Sequence, residues 1–276
     1  MHTLKIILMA LLIGSAFMSQ AIFIQGFEAS DLPQLINGSG IPSDRHTARE
    51  LGSTTAAQGY YEYLPPGYDL DNQVYPLLVF IHGLQENGNG TTELSRVLAQ
   101  GPPKMINQNN WDENLPFVVL SPQNSNGGCT SSNNTRDFID YAVANYDINP
   151  DRVYLTGLSC GAIGSWNYLR HNGPSQIAAM VPIAGDGRGA FNNAGCALGL
   201  TPIWAFHGDN DNTVNEIGTI ETINNILACS APLEDVSMVI YPGVGHDSWT
   251  QTYNLNAGHD IYNWLLQHRN PAAFSP

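Results

Sequence analysis

Six short apolar runs recur along the chain, and most of them are separated by stretches whose apolar positions fall at helical spacing. Residues 76–81 (Pro-Leu-Leu-Val-Phe-Ile), 117–120, 153–158, 177–183, 202–206 and 236–241 are nearly continuous in apolar side chains. That is the pattern of strands buried on both faces. Residues 59–64 alternate instead, as a half-buried strand does, and Pro65-Pro66-Gly67 ends them. Residues 91–100, 136–145, 163–170, 217–228 and 261–268 read as helices. Strands alternating with helices predict an α/β fold, a mostly parallel sheet with helices on both faces. Fewer than twenty residues join the runs ending at 183 and starting at 202, so no large lid is expected there.

Residues 1–21 carry Lys5, an apolar stretch over 6–17 and Ser19-Gln20-Ala21, the layout of a secretory signal peptide with a small-x-small cleavage site. The apolar part is too short for a membrane anchor. The expected destination is secreted or periplasmic. Residues 22–57 are polar, Gly/Ser-punctuated and aperiodic, and read as an N-terminal arm; residues 58–276 suit one catalytic domain. The formal net charge of −14 argues against a phosphate-backbone partner, so no nucleic acid is expected. Asn37, Asn89 and Asn133 head glycosylation sequons.

Four cysteines in an exported chain favour disulfides over a metal site, and no Cys-x-x-Cys pair is present. Of three pairings, Cys196–Cys229 with Cys129–Cys160 is favoured. The alternative for Cys160 is a small buried thiol.

The chemistry concentrates at Gly157-Leu158-Ser159-Cys160-Gly161, where an apolar strand runs into a helical stretch. A serine between glycines on a tight strand-to-helix turn holds its hydroxyl clear of the backbone. Such a hydroxyl needs a base to take its proton and an acid to orient that base. Asp211 follows the run at 202–206, deeper in its loop than Asp209, which suits turn capping but stays open as the acid. His246 follows the run at 236–241 after a glycine-softened turn, with His259 as its competitor; His171 and His268 read as ordinary surface or core histidines. An oxyanion hole would use the amides of Cys160 and Leu84, the latter in the turn after 76–81. His82 reads as a side chain that orders this turn. The set needs neither a metal nor an organic cofactor.

Tyr63-Leu64-Pro65-Pro66-Gly67-Tyr68, Phe80-Ile81-His82-Gly83, Leu120-Ser121-Pro122-Gln123, the stretch from Asp151 to Ser159, Ala205-Phe206-His207-Gly208 with Asp211 and Val214, and Gly245-His246-Asp247-Ser248-Trp249 together resemble the α/β-hydrolase superfamily. Within it the chain is similar to secreted esterases of the dienelactone hydrolase, feruloyl esterase and polyhydroxyalkanoate depolymerase kind, and to the peptidase-like and phospholipase/carboxylesterase-like group. The similarity covers most of residues 59–268. It implies Ser159 as nucleophile, Asp211 as acid and His246 as base. Cys160, Asn215 and Leu84-Gln85-Glu86-Asn87 depart from the family pattern, and they touch the acyl pocket and oxyanion loop rather than the mechanism. The expected function is a serine carboxylic ester hydrolase acting on a small-molecule or polymer-linked ester. A serine peptidase of the same fold is the alternative, and a non-catalytic glycan-binding relative a third reading.

Overall fold

The computed structural model describes residues 32–33, 40–68, 73–125, 127–173, 176–230 and 233–270. The leader expected at 1–21, the sequon at Asn37 and most of the arm before residue 40 lie outside them.

Eight strands form one sheet in the order β1-β2-β4-β3-β5-β6-β7-β8. They are β1 (His46–Arg49), β2 (Tyr60–Tyr63), β3 (Tyr75–Ile81), β4 (Val118–Pro122), β5 (Ile148–Leu158), β6 (Ala179–Ile183), β7 (Ile203–Gly208) and β8 (Val236–Tyr241). The pairs from β4 through β3 to β8 are parallel, and only the pairs β1–β2 and β2–β4 at one edge are antiparallel, so that β2 alone runs against the rest. The helices are α1 (Gly101–Asn107), α2 (Ser132–Asn145), α3 (Cys160–Asn172), α4 (Arg188–Ala194), α5 (Ile217–Leu227), α6 (Trp249–Tyr253) and α7 (Ile261–Leu266).

The apolar run of β3 divides by period two between the faces of the sheet. Leu77, Val79 and Ile81 pack with Phe138, Ile139, Trp166 and Leu169 of α2 and α3. Leu78 and Phe80 join Ile106, Tyr253, Ile261 and Leu265 from α1, α6 and α7. Continuous apolarity in the sequence is thus the mark of two cores sharing one sheet.

The register brings the strand ends to a common level. Ile81 pairs with Gly157, Leu158 with Ile183, Ile183 with Phe206, and Gly208 with Tyr241. Loops leaving the carboxyl ends of β3, β5, β7 and β8 therefore start side by side, where open parallel sheets place their sites.

Two readings change. The arm contains an edge strand, β1, whose residues are only half-buried or exposed and so carry no hydrophobic period. Its backbone ladder with β2 holds it, reinforced where Arg49 grips the buried Glu62 carboxylate at 2.7 and 3.2 Å. The helix expected over 91–100 is a 3-10 turn at Leu94–Ala99, followed by α1, which begins at Gly101-Pro102-Pro103. Prolines in a first helical turn forgo only amides that lack partners anyway. Between β6 and β7 the chain forms α4 and a 3-10 segment, Gly195–Leu200, with no large lid.

Both favoured disulfides are formed, Cys129–Cys160 and Cys196–Cys229, so Cys160 is not a free thiol. Cys196–Cys229 closes a sequence separation of 33 residues behind β7 and α5. Opening it with paired Cys→Ser substitutions should lower the unfolding free energy by about 3–4 kcal/mol, read from urea midpoints.

Burial also lowers the pKa of His46, to about 4, and that of His82 and His268. The charged form of each is thus disfavoured when folded, whereas the unfolded chain takes up protons near pH 6.5. Stability present above that pH should therefore decline as pH falls from about 6.5 towards 4. His46→Gln should flatten this decline by on the order of 2 kcal/mol between denaturation curves at pH 7.5 and 4.5. A slope unchanged by the substitution would assign the acid sensitivity elsewhere.

Candidate active site

Ser159 sits between β5 and α3 with φ 52° and ψ −119°, a backbone conformation that few residues other than glycine adopt. Such strain persists only where the surroundings impose it. The Ser159 amide donates to the Ile183 carbonyl at 2.9 Å, tying the turn to β6. Gly161 is required because α3 runs hard against β3: a Cβ there would lie 2.1 Å from the Ile81 carbonyl oxygen.

Asp211 and His246 come from adjacent loops that are bonded together. The Asn210 amide donates to the Val244 carbonyl at 2.9 Å, and Asp209 donates through its amide to the Tyr241 carbonyl. Gly208 lies so close that a Cβ would meet the Val244 oxygen at 2.2 Å. These backbone contacts set the distance between acid and imidazole before either side chain is considered.

The three side chains converge. His246 Nε2 is 2.9 Å from Ser159 Oγ, and His246 Nδ1 is 2.6 Å from Asp211 Oδ2. The Asp211 side chain is fully buried, and that of His246 is 22% exposed, so solvent and ligands can reach the imidazole. Burial pushes the Asp211 carboxyl up, but hydrogen bonds from His246 and from the Val214 and Thr213 amides outweigh it and hold the pKa below the usual range. Those amides donate to Oδ1 at 2.9 and 2.8 Å. The carboxylate thus stays ionised, and its ionised form fixes a proton on His246 Nδ1. That leaves Nε2 as an acceptor facing the hydroxyl. Trp249 packs its ring edge-on against His246, with centroids 5.0 Å apart.

The competing residues are placed elsewhere. Asp209 Oδ1 caps a turn by accepting the Gly243 amide at 2.6 Å. His259 lies among Trp204, Phe206 and Tyr241. His171 bonds the Asn167 carbonyl on its own helix.

The turn after β3 lies against the serine, since a Cβ on Gly83 would be 3.8 Å from Ser159 Cβ. Leu84 opens a 3-10 turn and Cys160 opens α3, so neither amide has an acceptor within its own helix. His82 orders this turn. The Asn124 amide donates to its Nε2 at 2.9 Å, so the ring proton is on Nδ1 and goes to the Gly83 carbonyl at 2.6 Å. Buried Gln123 donates to the Glu86 and Glu93 carbonyls and accepts the Gly90 amide. No role for His207 follows from its position in the sequence, although a polar residue at the end of the apolar run leading to Asp211 is the signal that marks it. It too reaches Asp211, at 3.1 Å.

Residues 70–259 match the Phospholipase/Carboxylesterase family. A bifunctional acetylxylan esterase/xylanase of Neocallimastix patriciarum is 27% identical over 150 residues, 51% of this chain and 20% of that protein. The chain thus spans about a fifth of the length of that curated relative. Among solved structures, a thermostable esterase is 24% identical with a TM-score of 0.60, over 83% of this chain and 64% of that one. A feruloyl esterase module from Clostridium thermocellum, complexed with sinapinate, is 18% identical with a TM-score of 0.58, over 86% and 94% of the two chains. The sheet order, the helices on both faces and a family match across more than half its length agree: the chain belongs to the phospholipase/carboxylesterase family of α/β hydrolases.

Proposed function

We propose that the chain is an exported serine esterase that works through an acyl-enzyme on Ser159. The observation that carries this reading is the hydrogen-bonded series from Ser159 Oγ through His246 to Asp211, at 2.9 and 2.6 Å. Ser159 Oγ attacks the ester carbonyl while His246 Nε2 takes its proton, and Asp211 stabilises the imidazolium. The Leu84 and Cys160 amides hold the oxyanion. His246 then protonates the departing alcohol, and a water repeats the sequence on the acyl group. Export is supported by the leader pattern at 1–21 and by two disulfides, which persist in oxidising compartments.

The substrate class we assign is an acyl ester of a carbohydrate hydroxyl, acetyl or hydroxycinnamoyl. Likeness to an acetylxylan esterase and to a feruloyl esterase module supports it. So do the part-exposed imidazole and the short connection between β6 and β7, which leave a rim open to a bulky alcohol.

Ser159→Ala should lower p-nitrophenyl acetate turnover by about 10⁶-fold, as loss of a triad serine does elsewhere. A variant keeping a tenth of wild-type activity would remove Ser159 from the mechanism. Specificity is read from kcat/KM on acetylated xylan, methyl ferulate and a peptide anilide. The two esters should exceed the anilide by at least about 100-fold, a gap of roughly 2.7 kcal/mol in transition-state stabilisation. A faster anilide would make the protein a peptidase.

A further inference from the structure

His207 lies on β7 with its side chain wholly buried, four residues before Asp211. A buried imidazole is costly unless both nitrogens are bonded, and here both are. Nδ1 lies 2.8 Å from Thr219 Oγ1 on α5, and Thr219 Oγ1 is 2.9 Å from the Gly185 carbonyl. Nε2 lies 3.1 Å from Asp211 Oδ2 and 2.9 Å from the Val214 carbonyl. The Val214 carbonyl can only accept, so Nε2 carries a proton and shares it between that carbonyl and the carboxylate.

The consequence is a closed ring of hydrogen bonds. Val214 gives its amide to Asp211 Oδ1 and takes the His207 proton on its carbonyl, while His207 also donates to Asp211 Oδ2. Without His207, Oδ2 would be held only by His246, the group it has to orient. Rotation of the carboxyl group about its last bond, which would swing Oδ2 out of line, would then be opposed only by the two amide bonds to Oδ1. With His207 in place, both oxygens are anchored from groups that take no part in the reaction.

We infer that His207 is a positioning residue for the triad, a second imidazole whose Nε2 proton locks the Asp211 carboxylate in line with His246. This rests on the Ser159–His246–Asp211 reading above. It acts on the chemical step and not on substrate binding, because it reaches the substrate only through Asp211 and His246.

The test compares two amides at this position. In His207→Gln the side-chain nitrogen extends to where Nε2 stands, and in His207→Asn it ends near Nδ1. A hydrogen bond to a charged group corresponds to about 10- to 100-fold in rate. His207→Asn should therefore lose about 10- to 100-fold in kcat on p-nitrophenyl acetate with KM within about twofold. His207→Gln should stay within about fivefold of wild type. The rate at which a fluorophosphonate labels Ser159 should fall in parallel. Equal loss in both variants, a change confined to KM, or an undiminished His207→Asn would overturn the inference. If His207→Asn does not fold by circular dichroism, Thr219→Val, which removes the Nδ1 partner together with the hydroxyl's bond to the Gly185 carbonyl, decides. It should lower kcat by about 2- to 10-fold at constant KM, and an unchanged kcat overturns the inference. Ser159→Ala run alongside separates the two readings. If it stays active the triad itself is wrong, and if it is dead beside an undiminished His207→Asn only the role of His207 falls.

Discussion

The site depends on how closely the start of α3 approaches the end of β3. At Gly161 there is no space for even one methyl group beside the Ile81 carbonyl. That contact presses the turn carrying Ser159 against the turn carrying Gly83 and Leu84, and it holds the serine at positive φ. A larger residue at 161 would push the helix away from the sheet and separate the hydroxyl from the amides of the neighbouring loop. The strain at Ser159 is local and costs on the order of 1–3 kcal/mol. It is offset by two cores that pack on either side of the same six parallel strands.

The polar half of the site follows a different logic. A carboxylate removed from water is stable only if donors replace its hydration. Asp211 has the Thr213 and Val214 amides on one oxygen and two imidazoles on the other. Three of these four donors come from its own loop or from β7, so the charge is fixed before His246 is added. The exposed side of His246 then faces the serine and the solvent. One side of the imidazole is held, and the other is left free for the proton transfer we propose.

Much of this arrangement is legible in the sequence. Continuous apolar runs give the strands, and Gly157 to Gly161, Asp211 and His246 each follow one. Short-range pattern reaches that far because each element is specified by its own residues. What is not legible is held by partners distant in sequence. The strand at His46–Arg49 has no apolar period, because the ladder to β2 and the Arg49–Glu62 pair hold it. α1 hides behind Gly101-Pro102-Pro103, which reads as a break until the 3-10 turn before it is known. His207 reads as part of a strand, since its meaning lies in Thr219 on another element.

The loop after β4 connects the two sides of the oxyanion region. Gln123 and Asn124 hold the segment from His82 to Glu93 through hydrogen bonds to His82, Glu86, Gly90 and Glu93. A few residues later Cys129 is bonded to Cys160, directly behind the serine. Both amides assigned to the oxyanion are therefore tethered to one loop, one by hydrogen bonds and the other by a covalent bond. Two of the departures from the family pattern, Cys160 and Leu84 to Asn87, lie at the two ends of these tethers. A covalent tie at position 160 fixes the amide of the nucleophile's neighbour without depending on side-chain packing there. On the proposed mechanism a single loop thus holds both oxyanion donors, whatever side chains line its facing surface.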